Sequence, residues 1–160
     1  MGAVVLLLLP GGDDAPQPRR TSFGSATGAR VIRVVDGDTA IVEFGGRRDR
    51  LRYIGIDAPE SVKPEAPVEC YGPQAARLNR RLVEGHLVTL RFDAERRDRF
   101  GRLLAYVHAG GRFVNAELVR SGAARTLVIA PNTAHAAELA QLEKRARAKG
   151  RGLWTACEDR

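Results

Sequence analysis

Short segments of alternating apolar and polar residues dominate most of the chain. VIRVV, TAIVEF and RLRYIGI are rich in Val and Ile and are separated by Gly or Asp, which is typical of short β-strands. Two further segments, His86–Phe92 and Arg102–His108, alternate in the same way. The pattern therefore predicts five strands, and it places the strands Thr39–Phe44 and Arg50–Ile56 in a hairpin with its turn at Gly45-Gly46.

Helical segments interrupt these strands. We predict helices over Pro73–Gly85, Asn115–Ser121 and Ala134–Lys149. In the first and last, apolar residues recur every three or four positions, and a glycine lies at or just after the end of each. Short strands with interspersed helices favour an α+β fold built on a small closed barrel over a parallel βαβ sheet.

The first 29 residues differ in composition from the rest. Ala3–Leu9 is an apolar run, and a stretch rich in Gly, Asp, Pro, Ser and Thr follows it. This order is typical of an export signal followed by a linker, although no basic residue precedes the run. We therefore expect residues 1–29 to be a leader and linker and residues 30–160 to be the folded domain. A disordered tail is the alternative.

The net charge and the hydropathy of the chain indicate which kinds of molecule it can bind. The net charge is +7 and the pI is about 10.2, which favours an anionic partner. An arginine-rich solvated surface would give the same numbers, so charge alone does not choose a function. No apolar segment is long enough to cross a bilayer, and we expect no membrane partner.

The chain has two cysteines, Cys70 and Cys157. They lie just outside elements that should pack together, and we therefore expect a disulfide, with two unrelated thiols as the alternative. Such a bond would close a long loop, which stabilises a fold by about 4–5 kcal/mol in the chain-entropy model. A disulfide suits an extracytoplasmic protein, and we expect a secreted or cell-envelope location.

Acidic side chains lie at both ends of the predicted hairpin. Asp36 and Asp38 precede its first strand. Asp57 and Glu60 follow its second strand. A hairpin brings its two ends side by side, so these carboxylates should converge. Carboxylates are hard oxygen donors that suit Ca²⁺ or Mg²⁺, and although each motif alone could be an ordinary turn, their shared position favours a site.

Two arginines complete a hypothesis for phosphodiester hydrolysis. That reaction needs an in-line water, a cation and positive charge against the developing negative charge. Arg52, within the second hairpin strand, could hold the phosphate by a bidentate fork, and Glu60 could contact the water. Arg102, directly after Gly101, is the candidate for a second arginine, although it could also be a strand-edge charge.

Six blocks of sequence resemble the staphylococcal nuclease (thermonuclease) family. They are VVDGDT, LRYIGIDAPE, YGPQA, DRFGRLLAYV, VNAELVRSG and GLW. The resemblance implies a five-stranded OB-fold-type β-barrel with three helices. It also implies a calcium-dependent nuclease that hydrolyses DNA and RNA by in-line water attack and leaves 3′-phosphate ends. Nothing in the sequence indicates an obligate protein partner, and we expect a monomer.

The resemblance also implies roles for individual residues. Asp38 and Asp57 resemble the Ca²⁺ carboxylates, the backbone carbonyl of Ala58 resembles a further ligand, and Glu60 resembles a ligand through water. The implied catalytic side chains are Arg52, Glu60 and Arg102.

Two departures from the family concern the ligand contacts. Ala58 replaces the threonine of the well-known member, which keeps the carbonyl and loses a hydroxyl. Around Leu127–Ile129 that member has tyrosines, whose base stacking is worth about 1–3 kcal/mol per base. We therefore expect weaker nucleotide binding with the chemistry retained. Candidate substrate contacts are Asp98, Arg99, Leu127 and Ile129.

The alternative to an enzyme is a non-catalytic OB-fold module that binds nucleic acid or protein. Such a module should lack some of the acidic or arginine site residues and carry exposed aromatics on its strands. This chain has all of those site residues, and aromatics make up only 6% of it. The sequence therefore favours the nuclease.

Overall fold

The computed structural model describes residues 26–61 and 67–157. The strands are β1 (Ala26–Asp36), β2 (Thr39–Phe44), β3 (Arg47–Tyr53), β4 (Ile56–Asp57), β5 (Leu87–Arg91), β6 (Leu103–Ala109), β7 (Arg112–Phe113) and β8 (Arg125–Thr126). The helices are α1 (Gly72–Val83), α2 (Val114–Arg120), α3 (Ala136–Ala148) and α4 (Leu153–Ala156). None of these helices combines the length and apolar character that a membrane crossing requires.

Five of the strands close into a barrel. Their order is β3-β2-β1-β5-β6 with antiparallel neighbours, and β6 returns to pair in parallel with β3. We call this last pairing the closing seam; it joins Leu51 to Leu103, Arg52 to Leu104 and Tyr53 to Ala105. The expected α+β fold with an OB-fold-type barrel and three helices is confirmed, and a short fourth helix, α4, follows α3.

Apolar side chains at alternate positions of the strands fill the interior of the barrel. Val42, Leu51, Leu90 and Val107 come from four different strands and have no exposed surface. Burying a side chain of this size contributes about 1.5–3 kcal/mol. Their neighbours along each strand face outward, so polar residues reach the outer surface without disturbing the core.

Buried asparagines attach the helices to the barrel. Asn79 of α1 is fully buried; its side chain accepts a hydrogen bond from the Tyr53 hydroxyl at 3.0 Å and donates to the Asp36 carbonyl at 2.9 Å. Asn115 of α2 links β6 to the segment after β3 in a similar way. An unsatisfied buried polar group costs about 1–3 kcal/mol, so these bonds fix α1 beside the end of β1 and α2 beside β6.

Strand β1 begins earlier than the sequence predicts. Residues 26–29, expected in the linker, pair with β5 in the barrel, from Ala26 opposite Arg91 to Ala29 opposite Val88. Gly28 and Ala29 carry little apolar surface, and the strand pattern is therefore weak there. The remainder of the expected leader lies outside the described residues.

The predicted strand Arg50–Ile56 is divided. It forms β3 and the separate strand β4, because the chain turns at Gly55, which has a φ of +79°. A side chain at this position would also meet Leu139, whose Cδ1 lies 2.7 Å from the place of a Cβ. The turn moves Asp57 out of the barrel sheet and into a two-stranded sheet with β8.

A disulfide joins Cys70 to Cys157, with their Cα atoms 5.8 Å apart. Cys70 lies in the segment just before α1, and Cys157 directly follows α4. The pairing expected from the sequence is present, and it links the segment after β4 to the C-terminal helix.

Candidate active site

Asp38 is a buried carboxylate in the turn between β1 and β2, with 5% of its surface exposed. Its oxygens accept hydrogen bonds from the Thr39 hydroxyl at 2.9 Å and the Ala58 amide at 2.6 Å. Arg52 forms an ion pair with it at 3.1 Å. Burial raises the pKa of Asp38 and outweighs the opposing effect of Arg52 and the hydrogen bonds. An added cation would stabilise the ionised form of such a group.

Arg52 connects the buried carboxylate to an exposed one. Its guanidinium donates to the carbonyls of Tyr53 at 3.1 Å and Ile56 at 2.8 Å. It also forms an ion pair with Asp57 at 2.9 Å, and the Asp57 side chain is 58% exposed whereas that of Arg52 is 14% exposed. The structure therefore brings Asp38, Arg52 and Asp57 into direct contact.

Gly37 lets the turn between β1 and β2 lie close to Ala58 and to Ala75 of α1. A Cβ at this position would lie 2.5 Å from the Cβ of Ala58 and 2.9 Å from that of Ala75. Separations below about 3 Å do not occur between such atoms. A side chain at position 37 would therefore push the Ala58 amide away from Asp38.

The backbone of Glu60 is held from two sides. Its amide donates to the Glu69 carboxylate at 3.0 Å, and its carbonyl accepts from the Glu69 amide at 2.9 Å. A Cβ on Gly72 would lie 2.4 Å from the Glu60 carbonyl oxygen, so this contact requires glycine. The next residue, Ser61, donates its hydroxyl hydrogen bond to Asp36 at 2.7 Å. Asp36 thus anchors the loop that carries Glu60.

Arg102 is positioned by Asp98. The Asp98 carboxylate accepts from the Arg102 side-chain Nε at 2.7 Å and from its amide at 3.0 Å. Burial tends to raise the pKa of Asp98, but the hydrogen bonds from Arg102 and the ion pair with it lower that pKa overall. Asp98 is also a candidate substrate contact from the sequence, and in the structure its carboxylate hydrogen-bonds to Arg102.

Arg52 and Arg102 open onto one groove with a volume of about 490 Å³. The four candidate substrate contacts, Asp98, Arg99, Leu127 and Ile129, all line it. The three acidic residues expected at the site do not line this groove. Asp57 faces a separate cavity of about 630 Å³ beside the disulfide. Asp38 and Asp57 connect to the groove through Arg52.

Phe100 also lines the groove and was not expected from the sequence. Its ring is 68% exposed, and the guanidinium carbons of Arg99 and Arg102 lie 4.8 Å and 5.5 Å from its centroid. The sequence did offer a signal for Phe100, which is an aromatic residue within a turn of charged residues. Such a turn is expected to be exposed, so packing in the core does not explain an aromatic residue there. An exposed ring of this kind can stack on a base.

The three ligands expected from the sequence, Asp38, Asp57 and the Ala58 carbonyl, all offer oxygen atoms, the donor type that Ca²⁺ prefers. Within residues 26–61 and 67–157, no group of three or more His, Cys, Asp or Glu side chains could hold a metal ion. Ca²⁺ takes about 6–8 oxygen ligands, so water and substrate oxygens would have to complete its shell.

Comparison with known proteins identifies the family. The family model described as "Staphylococcal nuclease homologue" matches residues 50–156. The chain is 40% identical over 126 residues to a thermonuclease of Staphylococcus hyicus, covering 79% of this chain and 75% of that protein. It is 35% identical over 151 residues to a thermonuclease of Staphylococcus intermedius, covering 94% and 90%.

A third relative comes from another genus. Endonuclease YncB of Bacillus subtilis is 38% identical over 125 residues, covering 77% of this chain and 59% of that protein. The family match and these identities agree with the closed barrel and with the six sequence blocks. The chain belongs to the staphylococcal nuclease family.

Proposed function

We propose that the protein is a calcium-dependent nuclease that hydrolyses phosphodiester bonds of DNA and RNA and leaves 3′-phosphate ends. The observation that carries the proposal is the pair Arg52 and Arg102 on one groove, with Asp38 and Asp57 joined directly to Arg52. Membership of the family supports it, as do the names of the relatives, two thermonucleases and an endonuclease.

The two arginines are the proposed phosphate-binding groups. Guanidinium groups bind phosphate oxygens through paired hydrogen bonds, and fixed positive charge stabilises the negative charge that develops on phosphorus oxygens. Arg52 is fixed by two backbone carbonyls, and Arg102 is fixed by Asp98. Because Asp57 is the exposed partner of Arg52, it is the partner that a phosphate can replace most easily.

Asp38, Asp57 and the Ala58 carbonyl are the proposed Ca²⁺ ligands, with Glu60 bound through water. When bound, Ca²⁺ would polarise a phosphoryl oxygen and stabilise the charge on it. Asp38 brings a carboxylate already removed from water, and Asp57 brings one that solvent can reach. This difference lets the site bind a cation at a fixed position and still admit substrate.

Glu60 is the proposed general base for the attacking water. The backbone contacts with Glu69 and the Gly72 approach fix the start of its side chain. Water that attacks phosphorus opposite the 5′-oxygen breaks the bond to that oxygen, and the phosphate stays on the 3′ side. A positioned base of this kind contributes about 10²–10⁴-fold to the rate.

We also propose that the folded nuclease domain acts outside the cytoplasm, secreted or in the cell envelope. The disulfide supports this, because disulfides persist in oxidising compartments. Secretion of the intact chain from an export-competent host, followed by analysis of the mature protein, tests the location and the leader together.

The experiment that tests the activity uses single-stranded DNA at mildly alkaline pH. The purified protein is incubated with Ca²⁺, with Mg²⁺ or with a chelator, and fragment release and end chemistry are followed. We expect cleavage with Ca²⁺, none with chelator, and 3′-phosphate ends. Tight binding without cleavage in any metal, from a folded sample, would instead favour the non-catalytic binding module.

A further inference from the structure

Arginines continue along the outer surface of the barrel away from Arg52. In β3, Leu51 and Tyr53 point into the core, whereas Arg48 and Arg50 are exposed on the same face as Arg52. Alternate residues of a strand share a face, and each residue advances the chain about 3.3 Å. The Cα atoms of these three arginines therefore follow one another at intervals of about 7 Å.

Arg33 lies on this face as well. It pairs with Ile41 of β2, which in turn pairs with Arg50 of β3. Directly paired residues of antiparallel strands share a face, and Arg33 is exposed. It therefore lies two strands away from Arg50, at roughly 10 Å. We call Arg33, Arg48 and Arg50 the arginine track.

The positive charges of the arginine track are not neutralised by the described protein. None of its members forms an ion pair or a hydrogen bond from its side chain among residues 26–61 and 67–157. By contrast, Arg47 and Arg97 both pair with Asp49. Glu43 lies opposite Arg48 in the ladder, but the two form no ion pair. The charges are thus available to an anionic ligand.

We propose that the arginine track binds the phosphate backbone of a single-stranded polynucleotide whose scissile phosphate lies at Arg52. The proposal rests on the proposed nuclease function and adds a binding surface to it. Arg48 and Arg50 are spaced regularly along β3, and Arg33 lies on the same face of the barrel. This row of unpaired cations complements a chain of phosphates and leads to Arg52, a proposed phosphate-binding residue. Arg52 is only 14% exposed, and a flexible single strand can enter such a recess more easily than a rigid duplex.

The test compares two variants with equal net charge. R33Q/R48Q/R50Q removes the track, and K144Q/R145Q/K149Q removes three exposed cations from α3 and its end. For each protein, kcat/KM is measured on a 20-nucleotide single strand and on a dinucleotide, with Ca²⁺ present. We expect the polymer-to-dinucleotide ratio to fall at least tenfold in the track variant and to stay near the wild-type value in the control.

Binding of a labelled single strand in chelator gives a second readout. Each phosphate contact in a single strand contributes about 0.7 to the slope of log K against log salt. Loss of three contacts should therefore lower the slope by about 2, whereas the control variant should keep it. Circular dichroism checks the fold, and R48Q/R50Q replaces the triple variant if that variant is unfolded.

The possible results distinguish the arginine-track proposal from the proposed nuclease function. Equal ratios and slopes in wild type and track variant would overturn the track, and so would equal losses in both variants, because net charge would then explain them. The same kcat/KM measurement on a 20-base-pair duplex tests the strand preference, and a larger loss in the track variant on duplex than on single-stranded DNA would overturn the single-strand assignment. If the wild type cleaves nothing but the chelator experiment still separates the variants, the track is supported and the proposed function fails.

Discussion

At the scale of single residues, Arg52 combines two roles in one guanidinium. It neutralises the buried Asp38 and holds the exposed Asp57, and it is also the proposed contact for the scissile phosphate. Glu60 is held through its backbone amide and carbonyl, which contact Glu69. Those two backbone contacts do not involve the Glu60 carboxylate, so they can persist when that carboxylate is replaced.

We predict that Glu60→Gln lowers kcat on single-stranded DNA by about 10²–10⁴-fold and leaves substrate binding within a few-fold of wild type. Glutamine keeps the size of the side chain and removes its basicity. Steady-state kinetics with Ca²⁺ and binding in chelator measure the two effects. Glu69→Gln is the matched control, because its side-chain carbonyl can still accept from the Glu60 amide and its own amide still donates to the Glu60 carbonyl. An E60Q enzyme with wild-type kcat would contradict the assignment of the base.

We predict that Phe100→Ala weakens binding of single-stranded DNA by about 1–3 kcal/mol, roughly 5- to 150-fold. The exposed ring lines the groove and lies against two arginines. Phe100→Leu keeps apolar bulk without an aromatic face, and it should resemble the alanine variant if stacking is the cause. Titration by fluorescence anisotropy measures the loss. Unchanged affinity in both variants would show that the ring does not contact bases.

The sequence reveals some site residues more readily than others. Hairpin geometry predicts that Asp38 and Arg52 lie together, and Arg52 pairs with Thr39 in the structure. Asp57 also contacts Arg52, but it does so after the turn at Gly55 and not as part of the hairpin. The hydrogen bond between Asp98 and Arg102 could not be predicted, because several other arginines lie as near to Asp98 in the sequence. The position of Phe100 depends on how the turn lies against the barrel, which no local pattern encodes.

At the scale of elements, Asp49 of β3 and Arg97 of the loop before β6 form a double contact. Two hydrogen bonds, of 3.0 Å and 2.7 Å, join the guanidinium to the carboxylate. The hydrogen bond from Arg97 is the largest cause of a lowered pKa for Asp49, opposed by burial and supported by Arg47. This pair holds the loop that carries Phe100 and Arg102 against the barrel.

We predict that Asp49→Asn lowers the free energy of unfolding at pH 6 and that the difference disappears in acid. The folded-state pKa lies below the ordinary value of 3.8, so the contribution is fully present above that value and is lost as the pH falls through the folded pKa. Thermal unfolding from pH 6 to pH 2 measures it. Glu43→Gln, which removes a carboxylate without an ion pair, should show no such gap. A pH-independent gap would contradict the prediction.

The elements themselves were predictable to different degrees. Alternation identified five barrel strands, the spacing of apolar residues identified α1 and α3 within a few positions, and α2 was predicted as a short helix that ends before Gly122. The division of β3 from β4 at Gly55 was missed, because a single glycine within an apolar run is also compatible with a continuous strand. The parallel pairing of β6 with β3 depends on closure of the whole sheet, which short-range periodicity does not specify.

At the scale of the whole molecule, the disulfide joins the loop next to the site to the C-terminal helix. We predict that C70S/C157S lowers the free energy of unfolding by about 2–5 kcal/mol. Cys70 follows Glu69, which holds the Glu60 backbone, so kcat should also fall at temperatures where the variant is folded. Denaturant unfolding and single-stranded DNA cleavage measure the two effects. Wild type under reducing conditions should match the variant, and unchanged stability in both would contradict the prediction.

The closing seam and the disulfide both connect the chain before Gly85 to the chain after it. Gly85 lies in an exposed turn between α1 and β5. A break at this turn would leave Arg52 and the acidic residues on one fragment and Arg102 on the other. Neither fragment alone would hold a complete site, and the bond between Cys70 and Cys157 would lock a reassembled pair together. Divided in this way, the chain would regain a complete site only when its two fragments reassociate through the barrel pairings of β1 with β5 and β3 with β6.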